Sequence, residues 1–223
     1  RDLRNIEPTI IGQKIDVASY HPGWSDIANG ALGGGEFWYD AADKETPDDG
    51  GRVIVTKEGR RWKRITDQLL PSHFGCVPGG KVDVTETMRR YINACRGKVV
   101  DFTNGPWLIS GTLDLSNVSK IVSDSTGKFI VDTEKFRGDW AIQLGDPKQK
   151  AGQGRCGSIS LEGILSVYSR SRSRKLNGIY MKGSWLNIGH VRAENFNGIG
   201  IYQDSVWDST TQRLSAELCG NIS

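Results

Sequence analysis

Apolar positions recur in two different rhythms along this chain. In DVTETMRRYINACRG (residues 83–97), Val84, Met88, Tyr91, Ile92 and Cys95 fall at i, i+4, i+7, i+8 and i+11. That is one stripe at a 3.6-residue period, and it predicts a short amphipathic helix over about 83–96. Asp83 is the predicted N-cap, Glu86 completes a capping-box-like pair, and Gly97 stands where a C′ glycine ends a helix. From Lys98 onward the rhythm changes. Val99–Phe102, Trp107–Ile109, Leu113–Leu115, Ile121–Val122 and Phe129–Val131 are short apolar runs separated by Gly, Asn, Ser and Asp. Strands of this length and spacing predict a sandwich, a barrel or a solenoid.

Internal similarity chooses among them. GIYMKGSW (178–185) and GIYQDSVW (200–207) agree at Gly, Ile, Tyr and Trp with an offset of 22. VRAENFNGI (191–199) and LSAELCGNI (214–222) agree at Ala, Glu and Ile with an offset of 23, so one inserted residue separates the two matches. A period of about 22 with short strands predicts the coils of a parallel β-helix, stacked at about 4.8 Å. Residues 98–223 then make roughly six coils, with Ile179, Val191, Ala193 and Ile201 pointing inward. Leucine-rich repeats share the period, but their L-x-x-L-x-L ladder is absent. The predicted helix lies where a solenoid needs a cap over its first coil. The last residues fall inside a repeat without a second cap. The expectation is that the natural chain continues or that a partner covers the last coil. Arg1 in place of an initiator Met predicts trimming at the front.

Residues 1–70 form a separate block. GGGEFWYD (33–40) reads as a glycine turn into a strand, and RVIVT and RRWKRI flank Lys57-Glu58-Gly59 as a hairpin. Asp43, Asp48 and Asp49 miss the EF-hand spacing and read as turn residues. Lys57, Arg60, Arg61, Lys63 and Arg64 read either as an anion grip or as the solvated face of a strand. The fold class is therefore mainly all-β: a small N-terminal β module (1–70), then the start of a right-handed parallel β-helix (71–223) with an N-terminal capping helix.

Composition adds limits. Glycine, at 28 of 223 residues, is in excess and suits a turn-rich chain. A net charge of +3, from 29 basic and 26 acidic residues, gives no basis for a nucleic-acid partner. No apolar run is long enough to insert in a membrane. Cys76, Cys95, Cys156 and Cys219 lack C-x-x-C spacing and His21, His73 and His190 are scattered, so no metal site, cofactor or disulfide framework is expected. The bland expectation for the cysteines is buried free thiols.

Three groups could carry chemistry. If the repeat register holds, Glu194 and Glu217 stand outward on adjacent coils with backbones about 4.8 Å apart. That closeness suits a retaining glycosidase, where mutual repulsion would separate an acid from a nucleophile. The bland alternative is two exposed polar residues. Trp185 and Trp207 form a second stacked pair, either an aromatic platform for sugars or an apolar contact. In YSRSRSRK (168–175), Arg170, Arg172 and Arg174 alternate with serine, either as a basic strip for an acidic polysaccharide or as an exposed loop.

At this point the chain resembles bacteriophage tailspike proteins. DLRNIEPT (2–9), GGGEFWYDAAD (33–43), DDGGRVIV (48–55) and RRWKR (60–64) are similar to a module of their particle-proximal region. HFGCVPGGKVDVTETMRRYINAC (73–95) resembles the lead-in of pectate-lyase-like β-helices, with Cys76 in place of an alanine and Val84 interrupting the acidic pair. The resemblance implies a homotrimer in the virion tail, made in the host cytoplasm and joined to other tail or baseplate proteins. It also implies recognition of bacterial surface polysaccharide, such as capsule or O-antigen, with cleavage by hydrolysis or lyase chemistry. It transfers no catalytic residue, because these differ among members. The rival classes are a non-catalytic structural adaptor and a secreted pectate-lyase-like enzyme. The latter is disfavoured because it has no use for the N-terminal block.

Overall fold

The computed structural model describes residues 2–24 and 32–220. Residue contacts divide it into two compact units, Arg1–Cys76 and Val77–Ser223.

The first unit is an antiparallel sheet of β1 (Lys14–Val17), β2 (Gly35–Tyr39), β3 (Val53–Val55) and β4 (Arg61–Arg64), in the order β1-β2-β4-β3. Leu3, Phe37, Ile54 and Trp62 are its core, and the Trp62 indole N–H donates to the Ile6 carbonyl at 2.8 Å. The β3–β4 hairpin closes through Gly59 at φ +80°, where only glycine is unstrained. Aspartates set the preceding turns. One Asp49 oxygen accepts the N–H groups of Gly51, Arg52 and Val53, while Asp48 takes a two-point bond from Arg4. The basic cluster is not one solvated face. Lys63 reaches Asp40 and Asp43 at 2.6 and 2.8 Å. Arg64 is buried over the Phe37 ring and donates to the carbonyls of Gly33, Gly34 and Gly51.

In the second unit, α1 spans Thr85–Ala94 and buries the whole predicted stripe of Val84, Met88, Tyr91, Ile92 and Cys95. Asp83 serves the helix start by accepting from the Thr85 N–H and hydroxyl. Burial pushes its carboxyl up, but the bonds from Ser110 and Thr85 outweigh this and hold it below the usual range. Glu86 does not close a capping box; it turns forward to Arg89, and the N-cap position falls on Val84 rather than the predicted Asp83. Arg89 and Tyr91 tie the helix down onto Thr112 and Asp101 of the first coil.

The coils follow as parallel strands. One sheet runs β17 (Thr210–Glu217), β15 (Asn187–Glu194), β12 (Ser160–Ser169), β8 (Lys120–Ser123) and β5 (Val99–Asp101). A second runs β16 (Ile201–Gln203), β13 (Asn177–Met181), β10 (Arg137–Leu144) and β7 (Gly111–Asp114). β6 (Trp107–Ile109) pairs with β9 (Phe129–Val131), which continues onto the later half of β12. β11 (Cys156–Gly157) pairs with β14 (Gly183–Ser184). Leu113, Ile142, Ile179 and Ile201 are register partners in one inward column, and Phe129, Val167, Ala193 and Ala216 make another.

The described coils are four turns and the start of a fifth, not six. The second turn, from Lys120 to its partner Ser160, is much longer than the fourth, from Asn187 to Thr210. The surplus is divided between the Gly- and Lys-rich loop 145–155 and the stretch before Ile142, where the register of β10 against β7 shifts. Cys76, Cys95 and Cys156 are buried thiols, and Cys219 in the last coil is partly exposed. Burial pushes the Cys156 thiol up to about 11. Among the described residues, no helix is long and apolar enough to cross a membrane.

Candidate functional site

Strand alternation sorts the side chains of β12, β15 and β17. Leu165/Val191/Leu214 and Val167/Ala193/Ala216 are inward rungs, so Ile164/His190/Arg213, Ser166/Arg192/Ser215 and Tyr168/Glu194/Glu217 face outward. Glu194 and Glu217 are direct partners on adjacent strands. Arg192 places one nitrogen 3.5 Å from Glu194 and 3.0 Å from Glu217. Lys128 lies 3.4 Å from Glu194 and stands over the Tyr168 ring at 4.4 Å. The His190 ring nitrogen is 3.0 Å from the Ser215 hydroxyl. Burial, then Arg213 and Arg192, pull this imidazole below its ordinary range, so it stays neutral at neutral pH. The face thus holds two carboxylates, a shared guanidinium, a second cation and a neutral imidazole. Such a set can bind a polyhydroxylated chain and can supply acid, base or nucleophile.

Trp185 and Trp207 are both on the surface, at 66% and 52% exposure. They are not stacked as the repeat suggested. Tyr180 pairs with Tyr202, but at the next corner Ser184, not Trp185, is the partner of Trp207. The extra residue of the later repeat falls before Trp207, which sets the two indoles diagonally. They lie at the start of β15 and β17, and the glutamates lie at the end, roughly 25 Å further along the strand. The two groups are therefore separate.

The arginine loop leaves β12 at the glutamate end. Its alternation has a structural reading. Ser169, Ser171 and Ser173 bond to Thr133 and Glu134 of the turn below. Arg170, Arg172 and Arg174 each donate to a backbone carbonyl, of Gly80, Gly220 and Phe136 respectively. The loop clamps several coils together, while Arg170 remains exposed.

Sequence reasoning missed Arg192, His190 and Lys128 beside the glutamates; the first two alternate with Glu194 along one strand face, a signal that was present. It also missed the cluster of Trp140, Tyr180 and Tyr202, with ring centroids 5.3 to 6.2 Å apart. Tyr180 donates to Asp204 at 2.6 Å, and the buried Lys182 lies 3.2 Å from the same carboxylate. Among the described residues, no group of His, Cys, Asp and Glu is placed to hold a metal ion.

Residues 1–67 match the family described as the phage tail protein small four-stranded β-sheet domain. Full-length tailspike protein 2 of an Escherichia coli O157:H7 bacteriophage superposes with a TM-score of 0.63 at 21% identity, covering 99% of this chain and 34% of that one. The chain has the tailspike β-helix fold. WceF of Pantoea stewartii, a glycan biofilm modifying enzyme with a tailspike-like parallel β-helix, superposes at 0.52 with 14% identity, over 100% of this chain and 42% of its own. A Mu-like prophage defective tail fiber protein of Haemophilus influenzae is 37% identical over 121 residues, which are 52% of this chain and 18% of that protein. The chain thus spans less than half the length of these tailspike-like relatives.

Proposed function

We propose that this chain is part of a phage tail protein that attaches the virion to its host through bacterial surface polysaccharide. The outward face of β12, β15 and β17 contacts the glycan, and Glu194 and Glu217 are its hydrolytic pair. The observation that carries this reading is the in-register placement of the two carboxylates on an outward face also lined by Arg192, Lys128 and His190. Adjacent-strand spacing suits retaining hydrolysis, in which one carboxylate attacks the anomeric carbon and the other carboxylic acid protonates the leaving oxygen. Water then releases the sugar from the first carboxylate. The fold it shares with a glycan biofilm modifying enzyme supports the same reading. Residues 1–70 join other tail or baseplate proteins, and the assembled spike is a homotrimer.

A second reading, attachment without cleavage, is favoured by Arg192. Its contact with both glutamates offsets the repulsion that would divide acid from nucleophile. The test is incubation with a panel of capsular and O-antigen polysaccharides, followed by assay for new reducing ends and for unsaturated uronates. Reducing ends that vanish in Glu194→Gln and Glu217→Gln support the hydrolase. Binding without either product favours the adaptor, unsaturated uronates indicate a lyase, and no binding by any member of the panel contradicts the proposal.

A further inference from the structure

Arg155 rests on Trp207, whose backbone carbonyl accepts the Trp185 N–H at 3.1 Å, and the carboxylate pair uses none of the three. The Arg155 guanidinium lies over the Trp207 ring, 3.9 Å from its centroid, with Nη1 buried and unpaired. Among the described residues, no carboxylate pairs with it. Loop 145–155, which delivers Arg155, is fixed from beneath. Lys182 donates to the carbonyls of Gln149 and Lys150 at 2.9 and 3.0 Å, and Asp146 N–H to Gly154 at 2.7 Å. The loop backbone is thus held, and the guanidinium lies over an indole with no carboxylate partner among the described residues.

Trp185 supplies an independent observation. The rung Gly157/Ser184/Trp207 is followed on each turn by a left-handed corner at Ser158, Trp185 and Asp208, with φ of 54°, 55° and 47°. Serine and aspartate are small polar residues that bond their own backbone in such corners, and aspartate is enriched there. Tryptophan has no such compensation, and this one recovers little by burial, since it is 66% exposed. A strained, exposed aromatic backbone-bonded to an indole that carries an unneutralised arginine points to a ligand platform.

We infer that Arg155, Trp185 and Trp207 form a subsite for a carboxylate-bearing sugar. The sugar's apolar face packs on an indole, and its carboxylate takes the donors of Arg155 other than the buried Nη1. This rests on the polysaccharide reading above and narrows it to an acidic glycan.

The test uses the full chain and oligosaccharides prepared from acidic capsules, each in native and carboxyl-reduced form, with affinity read by calorimetry and tryptophan fluorescence. The native forms bind more tightly than the reduced forms. Arg155→Gln weakens the native forms about tenfold or more and leaves the reduced forms unchanged. Trp185→Ala weakens both while the melting temperature holds. Equal affinity for native and reduced sugars, or an Arg155→Gln variant that binds as before, overturns the subsite while leaving polysaccharide attachment standing. No binding to any of the oligosaccharides overturns both. Loss of self-association in Trp185→Ala with unchanged sugar affinity assigns the platform to contact between copies and also overturns the inference.

Discussion

Lys182 is fully buried, and its ammonium meets the Asp204 carboxylate 3.2 Å away on the next turn of the coil. The two occupy the same position of the repeat, one step after the partners Met181 and Gln203. The aspartate also accepts from Tyr180 and Ser205. Asp204→Ala strips a buried cation of the one carboxylate that pairs with it among the described residues, whereas Lys182→Met leaves a carboxylate that water and two hydroxyls still reach. The aspartate variant is therefore expected to melt at the lower temperature, although the lysine variant also frees loop 145–155. Thermal unfolding of both checks the order. Bonds from Tyr180, Ser205 and Lys182 hold the Asp204 carboxyl below its ordinary value. Its contribution is thus complete above the unfolded carboxyl pKa and is lost as pH falls through the lower folded one.

The first unit has its own pH dependence. His73 Nδ1 accepts the Leu70 N–H at 3.1 Å, which requires an unprotonated nitrogen. Burial, assisted by Arg64, lowers the imidazole from 6.5 to about 4. The unfolded chain takes up the proton first, so stability falls as pH drops from 6.5 towards 4. The interval sets a limit of about 3 kcal/mol, which solvent access to the partly exposed ring reduces to about 1–2 kcal/mol. Urea titrations across that range should show the step, and His73→Gln should remove it.

The inward columns tolerate little change. Ile179 has no exposed surface and is stacked between Ile142 and Ile201. Ile179→Ala should cost about 2–5 kcal/mol in equilibrium unfolding. A Cβ on Gly178 would stand 2.3 Å from the Gly200 carbonyl oxygen of the next turn. Gly178→Ala is accordingly expected to destabilise by about 1–3 kcal/mol, the size of ordinary overpacking.

The glutamate pair should behave in the opposite way. Its ion pairs with Arg192 and Lys128 are partly solvated, so Glu194→Gln or Glu217→Gln should change stability by about 1 kcal/mol or less. Loss of polysaccharide cleavage without loss of melting temperature would separate a chemical role from a structural one.

Much of the coil was legible because repetition and burial act together: a letter that recurs each turn must fill the same slot. Tyr180 over Tyr202 and Glu194 beside Glu217 follow directly. The diagonal set of the tryptophans did not, because a single inserted residue can be absorbed at any corner, and the match at Trp185 and Trp207 hid where. The arginine loop read as a charged strip because alternation does not say which carbonyls lie within reach. Arg155 carried no signal at all. Its significance depends on a loop folding back over Lys182 to meet a ring from another turn.

The most direct measurement is a crystal structure of the chain with an oligosaccharide from a polysaccharide it captures. The account predicts sugar along the outward face of β12, β15 and β17, within contact of Glu194 and Glu217. Sugar that touches neither the two glutamates nor the Arg155, Trp185 and Trp207 subsite would contradict it.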